Sequence, residues 1–245
     1  MGGHTRGEIV SIARIIVAGN GPSAQTDVVR QWADTDAACV MRMNYFFLPD
    51  RDALNYRCTD WWVCQHDEGD LRACVAYMRG RSLGGCCDGT QITFWVPGLT
   101  ERNMSPGECA ERLGGADVRV QRLNANLPPA CRWDCDMAPQ RPLMGSFALA
   151  VAVGMQPDEL WICGHDLFLH SSKQNQGGMK HDTRSWQKSF VAEYTCNIHR
   201  NHTLRGDLRY IGLALAAYRG HLTCCGSVLK QFFGAIYPQW TWLEG

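Results

Sequence analysis

The chain has 245 residues, 45% of them hydrophobic, enough for one large domain or a domain carrying an insertion. Lys plus Arg and Asp plus Glu both number 24, so no overall basic field exists to hold nucleic acid or an anionic membrane, and an anionic ligand has to be gripped locally. No apolar run approaches the ~20 residues of a membrane span, and Met1-Gly2-Gly3-His4-Thr5-Arg6 carries neither a hydrophobic signal segment nor, with Arg6, a myristoylation site. A cytoplasmic protein is the expectation.

In chain order, the first expected element is an apolar strand at 12–18, followed by the turn Ala18-Gly19-Asn20-Gly21-Pro22-Ser23 and a helix at 23–32. A strand, a glycine turn and a helix N-terminus in that order place unpaired backbone N–H groups where a phosphate can sit. The turn also reads G-x-G-x-x-A, so the class of nucleotide depends on the residues C-terminal to it. Further strands are expected at 38–43, 59–64, 91–96, 118–123, 160–163 and 221–224, and helices at 70–79, 106–113, 144–154 and 203–219. This alternation predicts an α/β fold, a single Rossmann-like domain with a mostly parallel sheet and its ligand site at the carboxyl ends of the strands. The polar segment 167–201, rich in Gly, Ser, Gln, Lys and His, breaks the rhythm. It reads as a small lid inserted into a nucleotide-binding domain made of 8–166 and 202–245.

Two more stretches carry chemistry. Trp161-Ile162-Cys163-Gly164-His165-Asp166 puts a flexible Gly and a carboxylate just past a buried strand, where Asp166 can accept hydrogen bonds from a ribose or cap the next helix. Asn197-Ile198-His199-Arg200-Asn201-His202-Thr203 leads into a helix with the apolar face Leu204, Leu208, Ile211, Leu215 and Tyr218, and with Thr203 as its N-cap. A histidine beside a helix N-terminus is held neutral by the positive dipole end, the state a general base requires. Taken alone His202 reads as a capping or surface histidine; its place at the end of the lid makes it a candidate base.

Thirteen cysteines, an odd number and without paired C-x-x-C knuckles, read as free buried thiols. His221, Cys224 and Cys225 have metal-ligand chemistry on spacing alone, but the expectation is no metal. Of nine tryptophans, Trp61-Trp62 and Trp240-Thr241-Trp242 suit core packing and a subunit contact, with sugar stacking or membrane-surface docking as the alternative.

The three stations together resemble the bacterial sialyltransferases of glycosyltransferase family forty-two, from about Ile15 to Pro238. That family opens with the same Ala-Gly-Asn-Gly-Pro-Ser turn, here residues 18–23. Its Arg-x-Asn after the second strand is similar to Arg42-Met43-Asn44, with Tyr45-Phe46-Phe47 next. Its Gln-Arg before a small-residue helix is similar to Gln140-Arg141 and Gly145-Ser146-Phe147-Ala148, and its Gly-x-Asp to Gly164-His165-Asp166. Its catalytic His, five residues before an Asp, looks like His202 and Asp207.

The resemblance implies a glycosyltransferase A-like domain that is metal-independent, needs no cofactor and uses CMP-sialic acid as donor. Gly19, Asn20, Gly21, Ser23 and Asn44 would bind the nucleotide, Gly164 and Asp166 the ribose, and Ser146 and Phe168 would line the donor site. Arg141 would pair with the sugar carboxylate or serve as a structural ion-pair Arg. His202 would be the base, with Asp207 and His199 beside it. Partners would be a nucleotide-sugar donor and a glycan acceptor in lipooligosaccharide or capsule biosynthesis; separately, the aromatic C-terminal tail suits a homo-oligomer, with peripheral association at the inner face of the membrane.

The chain departs from the family pattern inside the lid. Phe168 stands where the family has a phosphate-holding tyrosine, no Tyr occurs after it until Tyr194, and His199 matches the tyrosine three residues before the catalytic His. Met144 matches a small hydroxyl residue, with Ser146 nearby, and Cys64 or Gln65 matches an Asn. Leaving-group help would have to come from donors such as His170, Lys173, His199 or Tyr194. Three other readings stay open. One is an NAD(P)-binding oxidoreductase, which lacks an acidic residue after the second strand and loses an N–H at Pro22. Another is a metal-dependent glycosyltransferase through Asp134-Cys135-Asp136, and the last a non-catalytic nucleotide-binding or pterin diphosphokinase-like protein.

Overall fold

A computed structural model of the chain describes residues 13–32, 38–43, 60–64, 72, 75–76, 91–96, 105–113, 118–132, 141–169 and 191–244. Eight strands are found among them: β1 (Arg14–Ala18), β2 (Ala38–Met43), β3 (Asp60–Cys64), β4 (Gln91–Val96), β5 (Val118–Arg122), β6 (Glu159–Cys163), β7 (His221–Cys225) and β8 (Thr241–Leu243). They form one sheet in the order β5-β4-β3-β2-β1-β6-β7-β8, and every neighbouring pair is parallel. The expected α/β architecture with a parallel sheet is what the chain adopts. β1 is buried from Ile15 to Ala18, as a central strand covered on both faces must be.

The helices are α1 (Asp27–Trp32), α2 (Pro106–Leu113), α3 (Met144–Gly154), α4 (Leu204–Ala217) and α5 (Ser227–Phe233). In α3, Met144 and every residue from Ser146 to Val153 are buried. A helix apolar all round has to be enclosed, and α3 lies between the sheet, at β1, β2, β3 and β6, and α4. On α4 the buried face is Asp207, Tyr210, Ile211, Ala214 and Leu215, while Leu204 and Leu208 are only half-buried.

Some boundaries differ from the sequence expectation for local reasons. The expected helix at 23–32 is interrupted: Pro22–Gln25 form one 3-10 turn and Thr26 is extended (φ −77°, ψ 157°). Thr26 Oγ1 accepts from Val29 N at 3.4 Å, so α1 starts one residue later under its own cap. α4 ends at Ala217 because Tyr218 turns extended and its hydroxyl donates to Pro157 O at 3.0 Å. Of the expected helix at 70–79, residues 72, 75 and 76 are helical. Among the described residues no helix is long and apolar enough to cross a membrane.

Candidate active site

The sheet order reverses between β1 and β6: strands β2 to β5 extend from one side of β1, and β6 to β8 from the other. In an open parallel sheet this point leaves a crevice beyond the carboxyl ends, where the two connecting loops diverge. Those loops are Gly19–Ser23 and Gly164–Phe168, the glycine turn and the Gly-His-Asp stretch of the sequence.

They are clasped together rather than left open. Gly19 N donates to Cys163 O at 2.8 Å, Gly21 N to Gly164 O at 3.1 Å, and Ala24 N to Gly21 O at 3.1 Å. Ser23 N donates to Asp166 Oδ2 at 2.9 Å, and Gly164 N returns a hydrogen bond to Ser23 Oγ at 2.8 Å. Three of the turn's N–H groups are therefore not open to a phosphate: the carboxylate of Asp166 and the carbonyls of Cys163 and Gly164 take them. A residue with a side chain does not fit at this clasp. A Cβ on Gly21 would lie 2.2 Å from Asp166 Oδ2, and one on Gly19 2.2 Å from Gly164 O, while Gly164 itself holds φ +69°. Asn20, between the two glycines, donates through Nδ2 to Met43 O at 3.1 Å, and its Oδ1 is buried with no hydrogen-bond partner among the described residues. Such an acceptor is suited to a donor from a ligand.

A residue passed over in the sequence joins this clasp to α3. His165, buried, has Nδ1 3.1 Å from Cys163 O and Nε2 2.9 Å from Gly145 O. A neutral ring donates to one of these carbonyls and an imidazolium to both. The only local sign was a histidine between Gly164 and Asp166. Arg42, at the end of β2, is also buried, and its charge opposes the rise that burial imposes on the Cys163 thiol. An arginine inside the apolar run of β2 was the signal for it.

The third stretch is a tightly bonded joint. Residues 191–195 are helical, and Asn197, at φ +61°, ends that turn. Ile198 N donates to Glu193 O at 2.8 Å and Arg205 N to Asn197 Oδ1 at 2.7 Å. Thr203 caps α4 as expected, its Oγ1 accepting from Gly206 N at 3.0 Å. Between these caps Arg141 N donates to Asn201 O at 2.7 Å, and His202 Nδ1 lies 2.6 Å from Arg141 O. A carbonyl only accepts, so Nδ1 of His202 carries the proton and Nε2 of the neutral ring is the acceptor. The ring of His199 stacks on that of His202, centroids 5.7 Å apart.

Asp207 and Ser146 lie beneath this joint rather than in an open cleft. Both are buried; Asp207 Oδ1 accepts from Ser146 Oγ at 2.5 Å and from Leu143 N at 2.8 Å. Burial raises the Asp207 carboxyl to about 6, opposed by the hydrogen bonds of Ser146 and Leu143. Tyr194 is buried, and burial together with the nearby Asp207 carboxylate raises its phenol well above its ordinary value. Its ring meets Phe168 edge to face, centroids 5.5 Å apart. Leu167 and Phe168 hold φ +46° and +57° in succession, a strained exit from the clasp that costs on the order of 1–2 kcal/mol per residue.

Arg141 is half-buried at the start of this region. Asn44, His170, Lys173, Gln140 and Asp134–Asp136 lie outside the described residues, as do 170–190 of the expected lid. His221 and Cys225 stand at opposite ends of β7, and His221 Nε2 is 3.2 Å from Thr241 Oγ1. Among the described residues no three His, Cys, Asp or Glu side chains gather as a metal site would. Burial raises the thiols of Cys163, Cys224 and Cys225, so they are poor nucleophiles.

No family model matches the chain, and no curated protein matches its sequence. Its fold does match solved structures. The monofunctional α-2,3-sialyltransferase Cst-I from Campylobacter jejuni is similar with a TM-score of 0.55 at 15% identity, over 87% of this chain and 75% of that one. The sialyltransferase CstII from Campylobacter jejuni, in complex with CMP-3FNeuAc, gives 0.53 at 15% identity, over 94% and 84%. CST-II with a trisaccharide acceptor and CMP gives 0.56 at 18% identity, over 89% and 84%. At these identities what is shared is the fold.

Proposed function

We propose, on the shared fold and the site geometry, that this chain is an inverting, metal-independent glycosyltransferase, moving sialic acid or a related nonulosonic acid from a CMP-activated donor to a glycan hydroxyl. The observation that carries the reading is His202: its Nδ1–H is committed to Arg141 O, leaving Nε2 as the proton acceptor. Nε2 takes the proton of the acceptor hydroxyl as its oxygen bonds to the anomeric carbon. The bond from that carbon to the CMP phosphate breaks on the opposite face, its electron pair leaving with the phosphate oxygen.

Binding is constrained by the corrected clasp. Since the N–H groups of Gly19, Gly21 and Ser23 are taken, these residues and Gly164 shape the crevice rather than grip phosphate. Asn20 Oδ1, with Asn44, meets the nucleotide; Arg141 pairs with the sugar carboxylate. Asp166 holds the Ser23 turn, and Ser146 and Asp207 brace the floor under His202. Phe168 has no hydroxyl and Tyr194 is buried, so the departing phosphate draws on His170 and Lys173. Residues 167–201 close over the donor, and the protein works as a homo-oligomer at the cytoplasmic face of the membrane, on acceptors of lipooligosaccharide or capsule biosynthesis.

The test is a paired one. His202→Ala abolishes transfer and leaves CMP binding by calorimetry nearly intact, while Asn44→Ala weakens binding; equal loss of binding in both refutes His202 as base. The closed clasp and Phe168 also favour a second reading, a nucleotide-binding protein without transfer. It predicts cytidine-selective, magnesium-independent binding with no turnover of CMP-sialic acid on any lactoside. The closed clasp equally removes the pyrophosphate cradle an oxidoreductase would need, so NAD and NADPH should not bind.

A further inference from the structure

We propose that His199 is a positioning residue for the candidate base: its Nδ1 lone pair ties down the turn that sets His202 against Arg141, a role that rests on His202 acting as base. His199 Nδ1 receives the backbone N–H of His202 at 3.0 Å and lies 3.3 Å from that of Asn201. Both partners are obligate donors, so Nδ1 is the unprotonated nitrogen and the ring hydrogen sits on Nε2. His202 has the opposite arrangement, Nδ1–H given to Arg141 O. The two stacked rings thus hold complementary tautomers, and one strut links them: Nδ1 of His199 holds the His202 amide, and the His202 ring holds the Arg141 carbonyl. Arg141 N closes the loop on Asn201 O at 2.7 Å.

Ile198 N and His199 N are held by Glu193 O, and beyond them the turn runs over exposed residues. Asn201 is exposed and Arg200 is exposed, so no apolar burial fixes their backbone. The amides of Asn201 and His202 are satisfied by a side chain two and three residues earlier, as Asn or Asp does in a turn. His199→Asn reproduces the acceptor that Nδ1 supplies and removes the Nε2–H donor, whereas His199→Ala removes both. The two substitutions therefore separate positioning from donation to a leaving phosphate.

The experiment is long-range nitrogen–proton NMR of protein labelled at histidine nitrogen, without ligand, on wild type, His199→Asn and His199→Ala, combined with steady-state transfer kinetics from CMP-sialic acid. In the wild type His199 is expected as the Nε2–H tautomer and His202 as Nδ1–H. His199→Asn keeps the Nδ1–H form of His202, and His199→Ala mixes its tautomers. In kinetics, His199→Ala lowers kcat roughly tenfold to a hundredfold with KM for the donor within about twofold, and His199→Asn restores most of it. A proton on Nδ1 of His199, an unchanged His202 signal in the Ala variant, or an Asn variant as impaired as Ala overturns the proposal. A wild type that transfers nothing refutes the glycosyltransferase reading instead, and the tautomer measurement still decides the role of His199.

Discussion

Ser146 on α3 donates its hydroxyl to Asp207 on α4 across 2.5 Å, and the same carboxylate oxygen takes the backbone N–H of Leu143 just before α3. One buried carboxylate therefore joins the two helices beneath the candidate base.

Burial holds the Asp207 carboxyl at about 6, above its ordinary range near 4, so the folded protein keeps this proton where the unfolded chain releases it. The stabilisation from Asp207 is complete below about pH 4 and is lost as pH rises through about 6. Asp207→Asn keeps an acceptor for Ser146 and Leu143 without the charge. Between pH 4 and 7 the wild type should lose about 3 kcal/mol of unfolding free energy relative to Asp207→Asn, measured by denaturant titration. Parallel pH curves would refute this.

Gly21→Ala should destabilise the protein by roughly 1–3 kcal/mol and weaken CMP binding, because the new methyl meets Asp166 Oδ2 at 2.2 Å and Gly164 O at 2.8 Å. Gly107 in α2 is the control: the nearest atom to its Cβ is Ser105 Oγ at 4.0 Å. Gly107→Ala should stabilise by about 0.5–1 kcal/mol. Differential scanning calorimetry of both variants checks the contrast, and similar shifts in both would argue against the clasp.

Ser23→Ala removes the acceptor for Gly164 N and leaves that buried N–H without its 2.8 Å partner. A loss of about 1–3 kcal/mol is expected, with faster amide hydrogen exchange at Gly164 as the local signature. Exchange at Gly164 that stays as slow as in the wild type would show that Ser23 is dispensable there.

Phe168→Tyr restores a hydroxyl where the resembling family has one. The ring already packs edge to face on Tyr194 and keeps its backbone at φ +57°. Under the glycosyltransferase reading, kcat with CMP-sialic acid should rise roughly tenfold at unchanged melting temperature. A kcat that does not rise would place the leaving phosphate away from residue 168.

Local pattern was enough for seven of the eight described strands and for the longer helices. The apolar runs of β2, β4 and α3, and the helical period of α2, are properties of a few consecutive residues, and their bounds were readable directly. β8 was not readable: three residues carry no period, and Trp242 is in a strand because it pairs with Cys224. The glycine turn shows the same division at the site. Its place after β1 was legible, yet whether its N–H groups stay open was decided by Asp166, 143 residues from Ser23.

So it was with the histidines. Sequence order placed His202 at the start of a capped helix, five residues before Asp207. Which nitrogen of His202 carries the proton depends on the Arg141 carbonyl, 61 residues away. Asp207 is a brace and not a neighbour of open solvent because α3, itself enclosed by the sheet, covers it. Residue types and their order along the chain determined the elements and the chemistry at hand. Hydrogen-bond pairing and burial depend on which distant segments meet, and only the tertiary structure decided them.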